Sequence, residues 1–385
     1  MEYIMLKDVC DINMGQSPDS SSYNDDGDGL PFFQGNADFG ERYPVARKWC
    51  SVPTKIAKPE DILISVRAPI GALNYAREKC CIGRGLAALT PDKSKVSPEF
   101  IFWLLKAKNI ELNSKGTGST FKAIGRNVLE ETQVPNVPLT VQSEYSQVLE
   151  RIYAIIQSHK MQLQKLDDLV KARFVELFGD CVLNTKRWNT RRLGDIAEVG
   201  SSKRVFVEEL RESGIPFFRG TEIGALAEGK SIKPELFISE NHYKELCSAT
   251  GTPNMGDLLM PSICPDGRIW VVNTTDPFYF KDGRVLWVHK IDRSYNSIFL
   301  LYTLKDRIMT DYNSIASGTT FAELKIFALK ECRIFDAPLE LQEQFAAFVT
   351  QADKSKVIEA INKANTLFNI TLNGGNRYDI RANEF

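Results

Sequence analysis

Pro138-Leu139-Thr140-Val141-Gln142 returns 200 positions later as Pro338-Leu339-Glu340-Leu341-Gln342. Upstream, Gly118-Ser119-Thr120-Phe121 returns as Gly318-Thr319-Thr320-Phe321 at the same offset. Further toward the N-terminus the offset drifts. Leu30-Pro31-Phe32-Phe33 with Gly35 matches Ile215-Pro216-Phe217-Phe218 with Gly220 at 185, and Asp61, Pro69 and Gly71 match Asp257, Pro265 and Gly267 at 196. Leu6-Lys7-Asp8-Val9 echoes Leu193-Gly194-Asp195-Ile196 at 187. Drift of this kind marks loops of unequal length inside one framework, because loops absorb insertions easily. A period near 200 is too long for a solenoid repeat. The chain is a tandem domain duplication. Two similar but non-identical modules suit a ligand with two similar but non-identical halves.

The Pro-Leu entry opens a change of character. From Val141 to Phe178 no Pro or Gly occurs, and apolar residues fall at Tyr145, Val148, Ile152, Ile155, Leu163, Leu166, Val170, Phe174 and Leu177. Steps of three and four predict one long amphipathic helix, with Gly179 as its stop. The second copy predicts a helix from Leu341 to about Leu372 through Phe345, Phe348, Val357, Ile361 and Phe368. A lone helix cannot bury its own stripe, so the two are expected to pair, antiparallel and coiled-coil-like. The expected fold class is α+β: two similar mixed α/β recognition modules in tandem, separated by these helices, with pseudo-two-fold symmetry. The expected boundaries are 1–140 and 181–338 for the modules, 141–180 and 339–372 for the helices, and 373–385 for a tail. Asp61 to Val66 and Arg284 to Val288 read as strands, and Ser97 to Leu105 as a short helix.

With 385 residues, 43% hydrophobic and 25% charged, the composition is that of a globular protein. No apolar run approaches the ~20 residues of a membrane span. The start, MEYIMLKDVC, shows no signal-peptide pattern, and the expected location is the cytoplasm. The eight cysteines lack metal-ligand spacing and read as reduced thiols, with no metal site expected. Only three histidines occur, and none neighbours a nucleophile. No P-loop, dinucleotide fingerprint, His-Glu-x-x-His or Asn-Pro-Pro-Tyr/Phe is present. These absences favour a binding protein over an enzyme. Net charge is −1; residues 1–140 carry 17 basic and 17 acidic residues, and residues 181–338 carry 21 and 20. Any nucleic-acid site must therefore be a local concentration of Lys and Arg.

The repeat also marks candidate ligand contacts, each of which reads otherwise as a solvated side chain. Gln34 and Arg219 follow the matched Phe pairs; Gln suits adenine and Arg suits guanine in the major groove. The Phe pairs themselves read as core. Arg67 and Arg268 lie on matched Pro/Gly turns, although Arg67 falls opposite Cys264. Arg84 between Gly83 and Gly85, and Arg284 after Gly283, sit where glycines permit close approach to a phosphate. Lys122 and Arg126 follow the Gly-Ser-Thr-Phe loop, which is either a phosphate cradle or a structural turn. Lys186 and Arg187 belong to the densest basic run, which touches DNA backbone or simply links the modules.

Taken together, the chain resembles the specificity subunits of type I restriction–modification systems. The doubled Gly-Ser/Thr-Thr-Phe segment, the Pro-Leu-x-x-Gln helix entries and the Asp61-to-Gly71 strand and turn carry the resemblance. It implies a non-catalytic subunit that reads a bipartite double-stranded DNA site, one half per module, with the helices setting the gap. It implies two methylation subunits as partners and up to two restriction (motor-nuclease) subunits. S-adenosylmethionine, ATP and Mg²⁺ would bind those partners, and no cofactor would bind this chain. The alternative is a structural scaffold whose modules bind two protein partners and no DNA.

Overall fold

In the computed structural model, residues 2–118, 122–181, 183–317, 322–352 and 355–374 are described. The chain forms two units, Met1–Ser158 with Ile361–Phe385, and His159–Ala360. Within the first unit a four-stranded antiparallel sheet runs in the order Cys10–Met14, Leu86–Pro91, Ile62–Ser65, Leu73–Tyr75. The residues of Ile62–Ser65 are all buried, as a strand covered on both faces requires. Period-two alternation then divides them. Ile62 and Ile64 join Trp103 and Leu149 in one core, and Leu63 joins Phe33, Ile82 and Ala88 in another. A second sheet contains Leu30–Phe33 running parallel to Cys80–Ile82. A two-stranded ribbon pairs Tyr3–Met5 with Gln133–Pro135.

The second unit repeats this plan. Its four-stranded sheet runs Glu198–Gly200, Val285–His289, Leu258–Pro261, Trp270–Val271. Leu258 and Met260 face one core and Leu259 the other. Ile215–Phe218 runs parallel to Tyr279–Phe280, and Thr190–Arg192 pairs with Arg333–Phe335. Between the Phe pair and the matched Asp the second unit holds the helices Gly220–Ala227 and Glu240–Thr250. Those helices account for the drift of the repeat offset in this interval. All four phenylalanines of the pairs are buried, and all eight cysteines are free thiols.

Hydrogen bonding explains why the helix-entry motif appears twice. Gln142 is buried; its Oε1 accepts from Ser97 N at 2.9 Å, and its Nε2 donates to Lys95 O and Val137 O at 3.1 and 2.9 Å. Gln342 repeats all three bonds with Asn296 N, Ser294 O and Ala337 O, at 2.9, 3.1 and 2.8 Å. Each glutamine thus ties the start of its helix to the cap of another, Pro98–Ala107 or Ser297–Ile315, whose N-caps are Ser97 and Asn296. Asp61 and Asp257 are matched in the same way. Their carboxylates accept from Lys58 N and Asn254 N, and also from Thr90 Oγ1 and Trp287 Nε1.

The long helix is continuous over Leu139–Phe178, 40 residues, and Gly179 ends it with φ 81°. Its buried residues include Leu149, Ile152 and Ile156 in the first unit and Val170, Phe174 and Phe178 in the second. Ile155, expected on the stripe, is 49% exposed. Apolar residues occur side by side at Ile155-Ile156, and packing selected the second of them. In the first unit, Tyr145 Oη donates to Thr371 O, and Tyr153 lies near Phe368. In the second, Arg173 lies over Phe348 and the Phe178 ring near Phe345. Within each unit the two helical segments therefore run antiparallel.

The second helical run, expected as one helix to about Leu372, is two. Leu339–Gln351 is capped by Ala352 at ψ 38°, and Ser355–Gly374 follows. Phe345 is buried in the second unit and Phe368 in the first. No Pro or Gly lies between Gln351 and Ser355, so neither helix breaker marks the end of the first of them. Residues 119–121 and 318–321 of the Gly-Ser/Thr-Thr-Phe loops, and 375–385 of the expected tail, lie outside the described residues.

Candidate nucleic-acid interface

Backbone hydrogen bonds join the rim loops of the first unit edge to edge. Gly83 N donates to Phe33 O, Gly85 N to Gln34 O, Val66 N to Gly85 O, and Ala68 N to Lys122 O, at 2.8 to 3.1 Å. Arg67 also bridges Ala123. Gln34, Arg84, Arg67 and Lys122, separated by up to 88 positions in the chain, thus occupy one continuous rim, and all four are exposed. Gln34 is pinned: its Nε2 donates to Ser17 Oγ at 2.9 Å. The two glycines beside Arg84 serve this seam. A Cβ on Gly83 would sit 2.7 Å from Gln34 Oε1, and one on Gly85 2.5 Å from Gln34 O. Their tight approach is to protein, not to a phosphate. Among the described residues no ion pair holds Arg67, Arg84 or Lys122. Arg126 stands apart at the start of the helix Arg126–Glu130, paired with Glu130 at 2.6 Å.

The second unit builds the same rim with other chemistry. Lys281 N donates to Phe218 O, Ser262 N to Arg284 O, and Leu324 N to Ser262 O. Since Ile124 N donates to Val66 O, this register sets Val66 against Ser262. Arg67 therefore corresponds to Ile263, as the 196 offset of Asp61, Pro69 and Gly71 already requires, and not to the expected Cys264. Here the arginines are engaged by carboxylates. Arg219 Nε lies 3.1 and 3.2 Å from the two Glu222 oxygens, and its Nη2 donates to Glu235 at 3.0 Å. Arg268 pairs with Asp266 at 2.8 Å and lies 3.7 Å from Glu228. Arg284 pairs with Glu323. Burial opposes ionisation of Glu222, yet hydrogen bonds from Arg219 and Thr221 carry its pKa down to about 2. The same pairing raises the pKa of Arg219.

The basic run after the long helix closes that helix. Lys186 Nζ donates to Leu177 O at 3.0 Å and also to Glu176 O, two carbonyls left open at the C-terminus. Trp188 Nε1 donates to Phe178 O at 2.9 Å. Arg187 is exposed on a turn at φ 59°, its amide bonded to Asn184 O. Sequence reasoning singled out the cations and missed what holds them. Glu222 carried a local signal, three residues after Arg219. Ser17, Glu235 and Glu323 carried none, because they reach the rim through the fold.

Two copies of one sheet framework on sutured loops, the first rim carrying Gln34, Arg67, Arg84 and Lys122 and the second Arg219, Arg268 and Arg284, define a duplicated-module protein. The type I restriction modification DNA specificity domain matches twice, over residues 1–167 and 185–367. The chain belongs to that family, as its helix-entry motifs implied. A putative type I restriction enzyme specificity subunit, MjaX of Methanocaldococcus jannaschii, is 42% identical over 160 residues. That match spans 42% of this chain and 38% of the relative, so the chain covers under half of that protein's length. The MjaIX specificity subunit of the same organism is 24% identical over 374 residues, 89% of this chain and 84% of that one. The crystal structure of a type I restriction-modification S subunit from M. genitalium superposes with a TM-score of 0.57 at 14% identity, covering 97% of this chain and 95% of the other; it shows the shared fold. Among the described residues no helix is long and apolar enough to cross a membrane.

Proposed function

We propose that this chain is the non-catalytic specificity subunit of a type I restriction–modification complex. Each unit reads one half of a bipartite double-stranded DNA site. The helices set the gap and dock two methylation subunits, which carry S-adenosylmethionine. Up to two restriction subunits join, with ATP and Mg²⁺, and the complex works in the cytoplasm. The observation that carries this reading is the repeated rim: one backbone seam, two different sets of side chains. Phosphate contacts set register, and base contacts and DNA shape select sequence.

The test is a salt-titrated binding assay with the purified chain, alone and with methylation subunits, on random and cognate duplexes. Expected are weak, salt-sensitive binding by the chain alone and tight, sequence-selective binding by the assembly. A chain that joins the methylation subunits but adds no selectivity for DNA is instead the protein-binding scaffold. Turnover by the purified chain, abolished by a point change within it, would refute the non-catalytic role.

A further inference from the structure

Arg219 is the best-defined cation on either rim. A guanidinium offers five donors in a planar fork. Glu222 takes the side edge, Nε with one Nη2 hydrogen, and its Oε2 also accepts from Arg219 N at 2.8 Å and from Thr221 Oγ1 at 3.0 Å. That carboxylate is 12% exposed and is ionised over the whole physiological range. Glu235 makes a single bond to Nη2 and is 72% exposed. Among the described residues nothing bonds Nη1. The end edge, Nη1 with the second Nη2 hydrogen, is the one an acceptor pair such as guanine O6 and N7 would take. Glu235 occupies half of it.

The first unit sharpens the contrast. At the equivalent position Gln34 N donates to Asp38 Oδ2 at 2.7 Å, so a backbone-holding carboxylate belongs to the shared framework. There the side chain meets Ser17, a neutral hydroxyl, and among the described residues no second carboxylate. The additional glutamate is a property of the second rim.

Resting on the reading of this rim as a DNA interface, we propose that Glu222 and Glu235 are specificity-determining residues of opposite action. Glu222 is a positioning residue that braces Arg219 for end-on recognition of an acceptor pair on a base. Glu235 is a removable cover, an acceptor that stands in for the base until DNA displaces it. Exposed ion pairs contribute little, so displacement is cheap. A braced fork loses less freedom on binding than a free one.

The experiment uses the chain assembled with its methylation subunits and duplexes varied base by base across the second half-site. Glu235→Gln should tighten cognate binding by roughly three- to tenfold and non-cognate binding less, with the same base preferred. In an Arg219→Ala background the same change should give no gain. Glu222→Gln should reduce preference at the same base position that Arg219→Ala affects, by roughly fivefold or more. Thermal melts identify any variant that fails to fold; Glu235→Gln, altering one exposed bond, decides the matter if Glu222→Gln does. Equal gain with and without Arg219 means that Glu235 acts by general charge, which overturns the cover. No gain from Glu235→Gln, beside an Arg219→Ala that does shift preference, overturns the cover alone. An Arg219→Ala chain with unaltered preference removes the base contact and the proposal together.

Discussion

Gln342 and Glu222 show how single side chains divide between framework and recognition. Gln342→Leu strips partners from Asn296 N, Ser294 O and Ala337 O in a buried setting. Three such groups at about 1–3 kcal/mol each should destabilise the second unit by about 3 kcal/mol or more, read as a lower midpoint in urea. Glu222 sets a pH limit. Its folded pKa of about 2 lies below the usual 4.5, so its contribution is complete above 4.5 and is lost as pH falls toward 2. Acid unfolding should begin at higher pH in wild type than in Glu222→Gln once both are matched for neutral-pH stability. Identical acid midpoints after that matching would remove this role. Among the basic candidates, Arg84→Ala should lower the salt slope of DNA binding by about one counterion. Lys186→Met should leave the slope unchanged and lower Tm instead, because that ammonium is spent on helix carbonyls.

At the scale of the element, the helix Leu139–Phe178 is a measuring rod. Its 40 residues extend about 60 Å at ~1.5 Å per residue. It is buried toward both ends and largely exposed from Ile155 to Leu169. Four residues inserted near Gln162 would add ~6 Å and ~40° of rotation. That rotation leaves the buried faces nearly in register, and the preferred gap should grow by roughly one or two base pairs at ~3.4 Å each. Two inserted residues turn the faces by ~200° and should disrupt the fold of one unit. Sequencing of methylated motifs in cells that carry the four-residue insertion checks this; an unchanged gap in an active variant means that the helix does not measure it.

For the whole molecule, the composition of the units decides how recognition can be exchanged. The first unit is not residues 1–140 alone. Phe368, far along the chain, packs on Trp103 at 5.4 Å between ring centroids, and Tyr145 bonds Thr371 O. Exchange of 1–158 together with 361–385 for a relative's equivalents should fold and change one half-site only. Exchange of 1–140 alone should fold as well only where the relative's residues still fit Phe368. Methylome sequencing reads the outcome; two altered half-sites would end the model of independent readers.

From the sequence alone came the duplication, the long first helix, the buried phenylalanine pairs and the family. All four rest on local pattern: matched motifs, 3.6-residue periodicity, paired apolar residues beside glycine. Tertiary structure decided the rest. It split the second helical run and placed Gln34, Arg84, Arg67 and Lys122 on one seam. Among the described residues it also separated cations without an ion pair on the first rim from neutralised ones on the second. Ion pairs such as Arg284 with Glu323 join residues 39 positions apart, and no local pattern in a chain encodes which carboxylate the fold will bring to a given arginine.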